Sequence, residues 1–466
     1  MSDERDSPQL LRGLGLLDST LLVMGIIIGS GIFLTTGIMA EALPSPTLLM
    51  AAWAVGGLLT LAGALSFAEL GAAMPEAGGQ YVYLREAYGP LPAFLFSWIT
   101  FLIFQPGSIS AVTVGFAAYL GYFVPALGTE SILLKIPLGE RAFSLSAGQL
   151  VAAAIILLLT AANVIGLRWG RWIQNVFTFL KVAAIGGFVL FGFLVDGGEG
   201  PVAAAAPLEP GSLVAGFGVA LIAALFAFDG WVNLSFSAGE IKDPARTLPR
   251  ALLLGTAAVT LIYLLMNAVY LHALDVSEMR GVTRVAEKAA TALFGEGATQ
   301  MIAGVVLIST FGAANGTILT GARVYYATAR DGLFFQQVGK VHPRYHTPHV
   351  SLWVQGIWSA LLALSGRFDQ LFTYAMFAAL LMYAAATASV FTLRRKRPDL
   401  ERPYRVWGYP ILPALYIAAL AALALNTVVE RPLESLSGLL ILALGVPVYL
   451  FWRARSDLAP AEGLVP

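Results

Sequence analysis

Apolar residues in this chain gather into long blocks separated by short polar or charged connections. An α-helix needs roughly 17–25 apolar residues to cross a bilayer. About twelve blocks meet that length, at approximately 14–42, 47–74, 91–124, 147–166, 172–195, 211–238, 250–274, 298–328, 349–365, 369–393, 409–429 and 436–452. The first, third and eighth are long enough to need tilt, a kink or extension beyond the lipid. Glu287 to Phe294 predicts a short amphipathic helix on the outer surface.

Two blocks are interrupted. The first contains Gly25-Ile-Ile-Ile-Gly29-Ser30-Gly31-Ile-Phe33, with three small residues in a row at mid-depth. Glycine costs about 1 kcal/mol against alanine inside a helix, and lipid cannot satisfy a loosened backbone. Unwinding there would free N–H and C=O groups and aim the N-terminus of a half-helix at whatever lies beside it, an arrangement that attracts a carboxylate. The plainer alternative is a small-residue face packed on another helix. The sixth block carries Phe226-Ala-Phe-Asp229-Gly230-Trp231-Val-Asn233-Leu-Ser235. An intramembrane Asp costs on the order of 2.5–3.5 kcal/mol, so Asp229 should face a cavity or a partner. Blocks one and six lie an odd number of spans apart and so cross in opposite directions. That predicts a five-plus-five inverted repeat, about 14–195 and 211–393, with added helices about 409–452, all within one transmembrane domain, 1–466.

Composition fixes the class: 58% of the 466 residues are hydrophobic and 12% charged, against roughly 25% charged in a soluble globular protein. Lys+Arg and Asp+Glu both number 28, so no overall charge points to nucleic acid. The four His have no metal-binding spacing, and the absence of Cys excludes disulfides and zinc–thiolate sites. No nucleotide-binding loop or nucleophile–base set is present, so neither an enzyme nor a cofactor or metal is expected. The polar stretch Met1 to Gln9 does not resemble a cleaved signal peptide. Basic residues collect on segments that share a side with the N-terminus, most densely at Arg394–Arg397, which puts both termini in the cytoplasm.

Five stretches together carry a family resemblance: GIIIGSGIF (25–33), FAELGAAMPEAGGQYVYLREAYGPLPAF (67–94), FAFDGW (226–231), GEIKDPARTLPRA (239–251) and ANGTILTGARVYYATARDG (314–332). The chain resembles the amino acid–polyamine–organocation superfamily, and within it the L-type amino acid transporters and their bacterial relatives. The resemblance implies an all-α integral membrane protein with broken helices 1 and 6. It implies that a substrate carboxylate meets the N–H groups of Ser30, Gly31 and Ile32 beside Gly29. The ammonium would meet carbonyls among Ile27, Ile28, Phe226, Ala227 and Asp229, next to Gly230. Phe226 matches the gating aromatic of the family, against an alternative of lipid- or core-facing packing. In sodium-coupled relatives a cation lies between the first and eighth helices; Lys181 matches the position where sodium-independent members place an ammonium instead. Asn315 is expected close to that region, in a polar network behind the first break, or only in a hydrogen bond between helices. Snorkelling to the interface is the alternative for Lys181.

Two departures stand out. Val232 occupies a position where many relatives have Asn, and no Cys is available for the subunit-linking disulfide of the mammalian exchangers, so no disulfide-linked subunit is expected. Among other polar residues, Glu69 reads as a partner for loop or helix-end donors. Glu240, Lys242 and Asp243 read as a solvated cytoplasmic hinge, against a gating salt bridge; Asp229 as a cap on the broken helix, against a negative group offered to a cationic substrate; and Ser108 and Ser110 as part of a kink at Pro106-Gly107, against a pocket lining. The reading is a multi-pass plasma-membrane transporter of amino acids working by alternating access, sodium-independent and acting by exchange. A proton-coupled symporter is the nearest alternative, and a channel or a non-transporting amino acid sensor the alternatives of another class.

Overall fold

The computed structural model describes residues 9–138, 141–195, 210–366, 368–430 and 432–458. Most of the polar N-terminal stretch lies outside them. Each predicted block contains helix. The first is split into α1 (Leu16–Ile27) and α2 (Gly31–Ala42), bent by 43°. The second is α3 (Pro46–Ala73), followed by the short α4 (Gln80–Tyr88). The third comprises α5 (Pro90–Ile99), a π-helical turn (Thr100–Phe104) and α6 (Gln105–Leu120). Then come α7 (Ala147–Val164), α8 (Leu167–Leu194), α9 (Pro210–Ala227), the one-turn α10 (Asn233–Phe236) and α11 (Pro244–Ala273). The chain ends with α12 (Val276–Met279), α13 (Val285–Phe294), α14 (Ala298–Arg330), α15 (His349–Ser365), α16 (Phe368–Lys396), α17 (Ile411–Glu430) and α18 (Pro432–Leu458). Among the described residues nine helices are long and apolar enough to cross a membrane, with the bent pair α1–α2 as a tenth. Blocks six and nine supply shorter apolar helices.

Local chemistry accounts for several boundaries. Pro106 cannot donate a backbone hydrogen bond, and the π turn just before it absorbs the mismatch. Two carbonyls of that turn find outside donors: the Tyr325 hydroxyl on Thr100 at 3.2 Å and the Trp358 indole on Leu102 at 2.8 Å. Ser110 donates to carbonyls of Pro106 and Ser359, both at 2.7 Å, and so ties α6 to α15. The loop before α7 holds a feature that the apolar blocks did not predict, an antiparallel hairpin of β1 (Ile132–Leu138) and β2 (Arg141–Ser146). It feeds directly into a capping box, with Ser146 N–H on Gln149 Oε1 at 2.7 Å and Gln149 N–H on Ser146 Oγ at 3.3 Å. The predicted amphipathic helix forms as α13, packed on α2, α11 and α14 with Glu287 buried.

The core is built where α1 meets α8, α11 and α14. The α14 helix is the most enclosed of the long spans, with 72% of its apolar window buried; α8 is the least, at 22%. Trp53, Phe228 and Tyr263 form an aromatic cluster beside the two interrupted spans, with ring centroids 4.9–5.9 Å apart.

Glu69 anchors the far end of α3. Its carboxylate accepts from Arg394 Nε at 2.8 Å and from the Val406 N–H at 2.6 Å, with Arg402 at 3.6 Å. The expected role as a partner for loop donors therefore holds, and one end of the Arg394–Arg397 run is structurally engaged.

Candidate functional site

The two interruptions meet. After Ile27 the backbone leaves the helix: Ile28 has ψ 81°, and the Gly29 N–H turns back to the Ile27 carbonyl at 2.8 Å. The α2 helix then starts at Gly31, and no side chain caps it. The opening N–H groups of a helix have no intrahelical acceptor, so this end keeps donors for an anion. In the sixth block α9 stops at Ala227, and the chain turns through Phe228–Val232 before the single turn of α10.

Glycine is required at both contacts. A Cβ on Gly31 would lie 2.9 Å from the Ala227 Cα. Gly230 has φ 110°, and a Cβ there would lie 2.6 Å from Ile26 Cγ2. The Tyr263 hydroxyl, fully buried on α11, lies 3.0 Å from both the Ile27 and the Ala227 carbonyl oxygens. One phenolic proton thus serves two acceptors released by two different breaks.

On the opposite side of the first break lies Lys181. Its ammonium donates to the carbonyls of Gly25 at 2.9 Å, Ile28 at 2.7 Å and Ser309 at 2.7 Å, and the side chain is fully buried. Ser309 Oγ adds contacts to the Ile28 carbonyl at 2.8 Å and the Gly29 carbonyl at 3.0 Å. Three N–H donors have three acceptors, and no carboxylate pairs with Lys181 among the described residues. Snorkelling is thereby excluded.

Asn315 does not join this group. Its amide donates to the Gly170 carbonyl at 2.9 Å and to Gln174 Oε1 at 3.1 Å, and accepts from Asn163 at 3.0 Å, linking α14 to α7 and α8. It stands behind the break at one remove, because Gln174 packs against Gly25. The residue of α14 that reaches the break is Ser309.

Asp229 is not a cap. Its Oδ1 accepts the Tyr383 hydroxyl at 3.0 Å, and α10 begins without a side-chain cap. Phe226 is 44% exposed on the last turn of α9, so it is not a core residue. Val232 is buried, and its carbonyl accepts from Ser235 Oγ at 2.6 Å.

The solvated hinge needs correction. Lys242 and Asp243 are exposed, but Glu240 is fully buried and forms a two-bond pair with Arg323 of α14, at 2.6 and 2.9 Å. Arg323 also reaches the Leu319 carbonyl. Beside this pair the segment before α1 lies along the segment after α10: Leu14 bridges Ile241, and the Gly13 N–H donates to the Glu240 carbonyl at 2.9 Å. Sequence separation hid the pairing, since nothing near Glu240 in the chain supplies a cation of the right depth. Tyr263 and Ser309 were missed for a related reason. A hydroxyl in an apolar run reveals nothing of what it faces.

The chain matches the family model described as amino acid permease over residues 14–449. It is 32% identical to the serine/threonine exchanger SteT of Bacillus subtilis, covering 96% of this chain and 98% of that protein. It is 31% identical to the b(0,+)-type amino acid transporter 1 of Mus musculus, over 97% and 92% of the two chains. With the large neutral amino acids transporter small subunit 2 of Homo sapiens the identity is 30%, over 96% and 82%.

Proposed function

This chain belongs to the amino acid permease family, and we propose that it is a sodium-independent amino acid exchanger of the plasma membrane working by alternating access, with both termini cytoplasmic. The observation that carries sodium independence is Lys181. Its fixed charge already occupies the Gly25, Ile28 and Ser309 carbonyls, the oxygens a cation between α1 and α14 would need. Exchange draws support from the similarity to SteT, whose name is that of an exchanger.

The substrate reading follows from charge. An amino acid zwitterion carries its anionic and cationic ends on the same carbon, and the meeting of the breaks offers both complements. The carboxylate faces the open N–H groups of Ser30, Gly31 and Ile32 at the start of α2. The ammonium faces the Ile27 and Ala227 carbonyls. An ammonium brings three donors where the Tyr263 hydroxyl brings one, so substrate satisfies these oxygens better than the empty site does. Recognition by backbone leaves side-chain choice to the surrounding pocket, over which Phe226 closes as the gate. Asp229 and Gly230 shape the second break, and Asn315 braces α14 behind the first.

The architecture we propose for this cycle is twelve spans, with inverted repeats at about 14–195 and 211–393 and two appended helices. The paired interruptions at Ile28–Ser30 and Phe228–Val232 support it. Alternating access then rocks α1 and α9–α10 against α7, α8 and α14.

The test is uptake into proteoliposomes with sodium replaced by choline at constant pH. Uptake should persist, and should accelerate when unlabelled amino acid is placed on the far side. Loss of activity in choline would overturn sodium independence. Flux indifferent to substrate on the far side would overturn exchange.

A further inference from the structure

A cleft between α1 and α8 lies outside the site just described. It measures about 830 Å³ and is lined by Asp18 of α1 and by Arg168, Trp169, Arg171, Trp172 and Asn175 of α8. It opens at the end of the bundle that carries Gly13 and Ile241. Leu167 packs on Gly13, where a Cβ would come within 2.9 Å of it.

Its charges are unequally matched. Arg171 donates to the Gly13 carbonyl at 2.9 Å and lies 3.4 Å from Asp18, whose other oxygen takes the Asn175 amide at 2.7 Å. The single carboxylate is therefore spent on Arg171 and Asn175. Arg168 is exposed and makes no ion pair or hydrogen bond among the described residues. Asn175 Oδ1 likewise lacks a donor. The cleft thus holds an unneutralised guanidinium beside a second one.

The walls are aromatic. Trp169 and Trp172 are 56% and 57% exposed, with ring centroids 6.3 Å apart and planes crossed at 79°. Indoles with one apolar and one hydrogen-bonding edge favour the headgroup level of a bilayer. Above them α8 continues as the most lipid-exposed long helix, with Phe179 68% and Leu190 59% exposed. At 3.6 residues per turn Arg168, Trp172, Phe179 and Leu190 fall within about 40° of one another around the helix. Phe179 lies roughly 16 Å along the axis from Arg168, close to the depth of one leaflet, half of the roughly 30 Å hydrocarbon core.

We propose that this cleft seats the phosphate of an anionic phospholipid, with an acyl chain along the exposed face of α8. A soluble anion would use the guanidiniums and leave the two indoles and the apolar stripe without purpose. A zwitterionic lipid would carry a choline or amine toward Arg168, a repulsive contact. An anionic headgroup meets all of these features. It also competes with Asp18 for Arg171, so the bound lipid reaches α1, the helix that carries the first break.

The probes are phosphatidylglycerol and phosphatidylcholine of equal chain length, titrated onto delipidated full-length protein and counted by native mass spectrometry. This readout is independent of transport, so it stands or falls apart from the proposed function. The wild type should retain phosphatidylglycerol in preference to phosphatidylcholine. Arg168→Gln should weaken that retention about fivefold, the scale of one basic residue at an anionic surface. Arg168 makes no ion pair or hydrogen bond among the described residues, so the variant should fold. Arg246→Gln, an exposed arginine elsewhere, should change nothing. Inorganic phosphate at the same concentration should not displace the lipid. Equal retention by wild type and Arg168→Gln, an equal loss in Arg246→Gln, or displacement by phosphate would each overturn the proposal.

Discussion

Lys181 shows how one side chain can replace a bound ion. Its three protons meet three backbone carbonyls on two helices, and a hydrogen bond to a charged group contributes on the order of 1.5–3 kcal/mol. Lys181→Ala should therefore lower uptake by about tenfold or more, with insertion into the membrane retained, as checked by initial rates normalised to reconstituted protein. Lys181→Arg should fail to rescue, since a planar fork cannot replace a compact ammonium among these three oxygens. Tyr263 gives a second residue-scale outcome. Tyr263→Phe keeps the ring contacts with Trp53 and Phe228 but removes the hydroxyl donor from the Ala227 carbonyl and from the Ile27 carbonyl, which keeps only the Gly29 N–H. A lost partner for a buried acceptor costs about 1–3 kcal/mol. The proposed ammonium contact uses the same oxygens, so the apo state should be hurt more than the loaded one. Thermal unfolding should show a larger substrate-induced stabilisation in Tyr263→Phe than in wild type.

At the scale of elements, the break in the first span and the buried pair beneath it behave differently. The break depends on Gly31, whose missing side chain lets α2 approach Ala227. Gly31→Leu should abolish uptake while the protein still inserts and elutes as a monodisperse peak. The pair Glu240–Arg323 ties the segment after α10 to α14 at an end that must open if the helices rock. Removing one member of a buried pair typically costs 3–5 kcal/mol, because the other charge is left alone. Glu240→Gln should accordingly lower the unfolding midpoint and also slow exchange. The exchanged pair Glu240→Arg with Arg323→Glu should recover part of the stability, read by thermal unfolding. These elements were unequally legible in the sequence. The first break could be read because three small residues in a row at mid-depth are matched by a second interruption in the sixth block. The β-hairpin before α7 was overlooked because a span search passes over short connections. The pairing of Glu240 was misread because local polarity suggests water, whereas a cation more than eighty residues away supplied the compensation.

For the whole molecule, the reading of a zwitterion held by two half-helices carries its own consequence. Amines lacking a carboxylate should compete poorly for uptake, as should acids lacking the amine, since each meets only one end of the site. Inhibition of labelled amino acid uptake by a concentration series of the matching decarboxylated amine checks this, and potent competition would remove the carboxylate from the model of binding. The sequence by itself determined the membrane class, the run of apolar helices, the two interrupted spans and the family. Those properties follow from composition, block length and short motifs, which local residues fix because lipid forbids an unsatisfied backbone. Only the tertiary structure decided which groups answer the breaks. It assigned Ser309 rather than Asn315 to the oxygens beside Lys181, Tyr263 to the carbonyls of both spans, Tyr383 to Asp229 and Arg323 to Glu240. Each partner comes from a helix distant in sequence. A polar side chain in an apolar run declares that it needs a partner, but packing alone chooses which one.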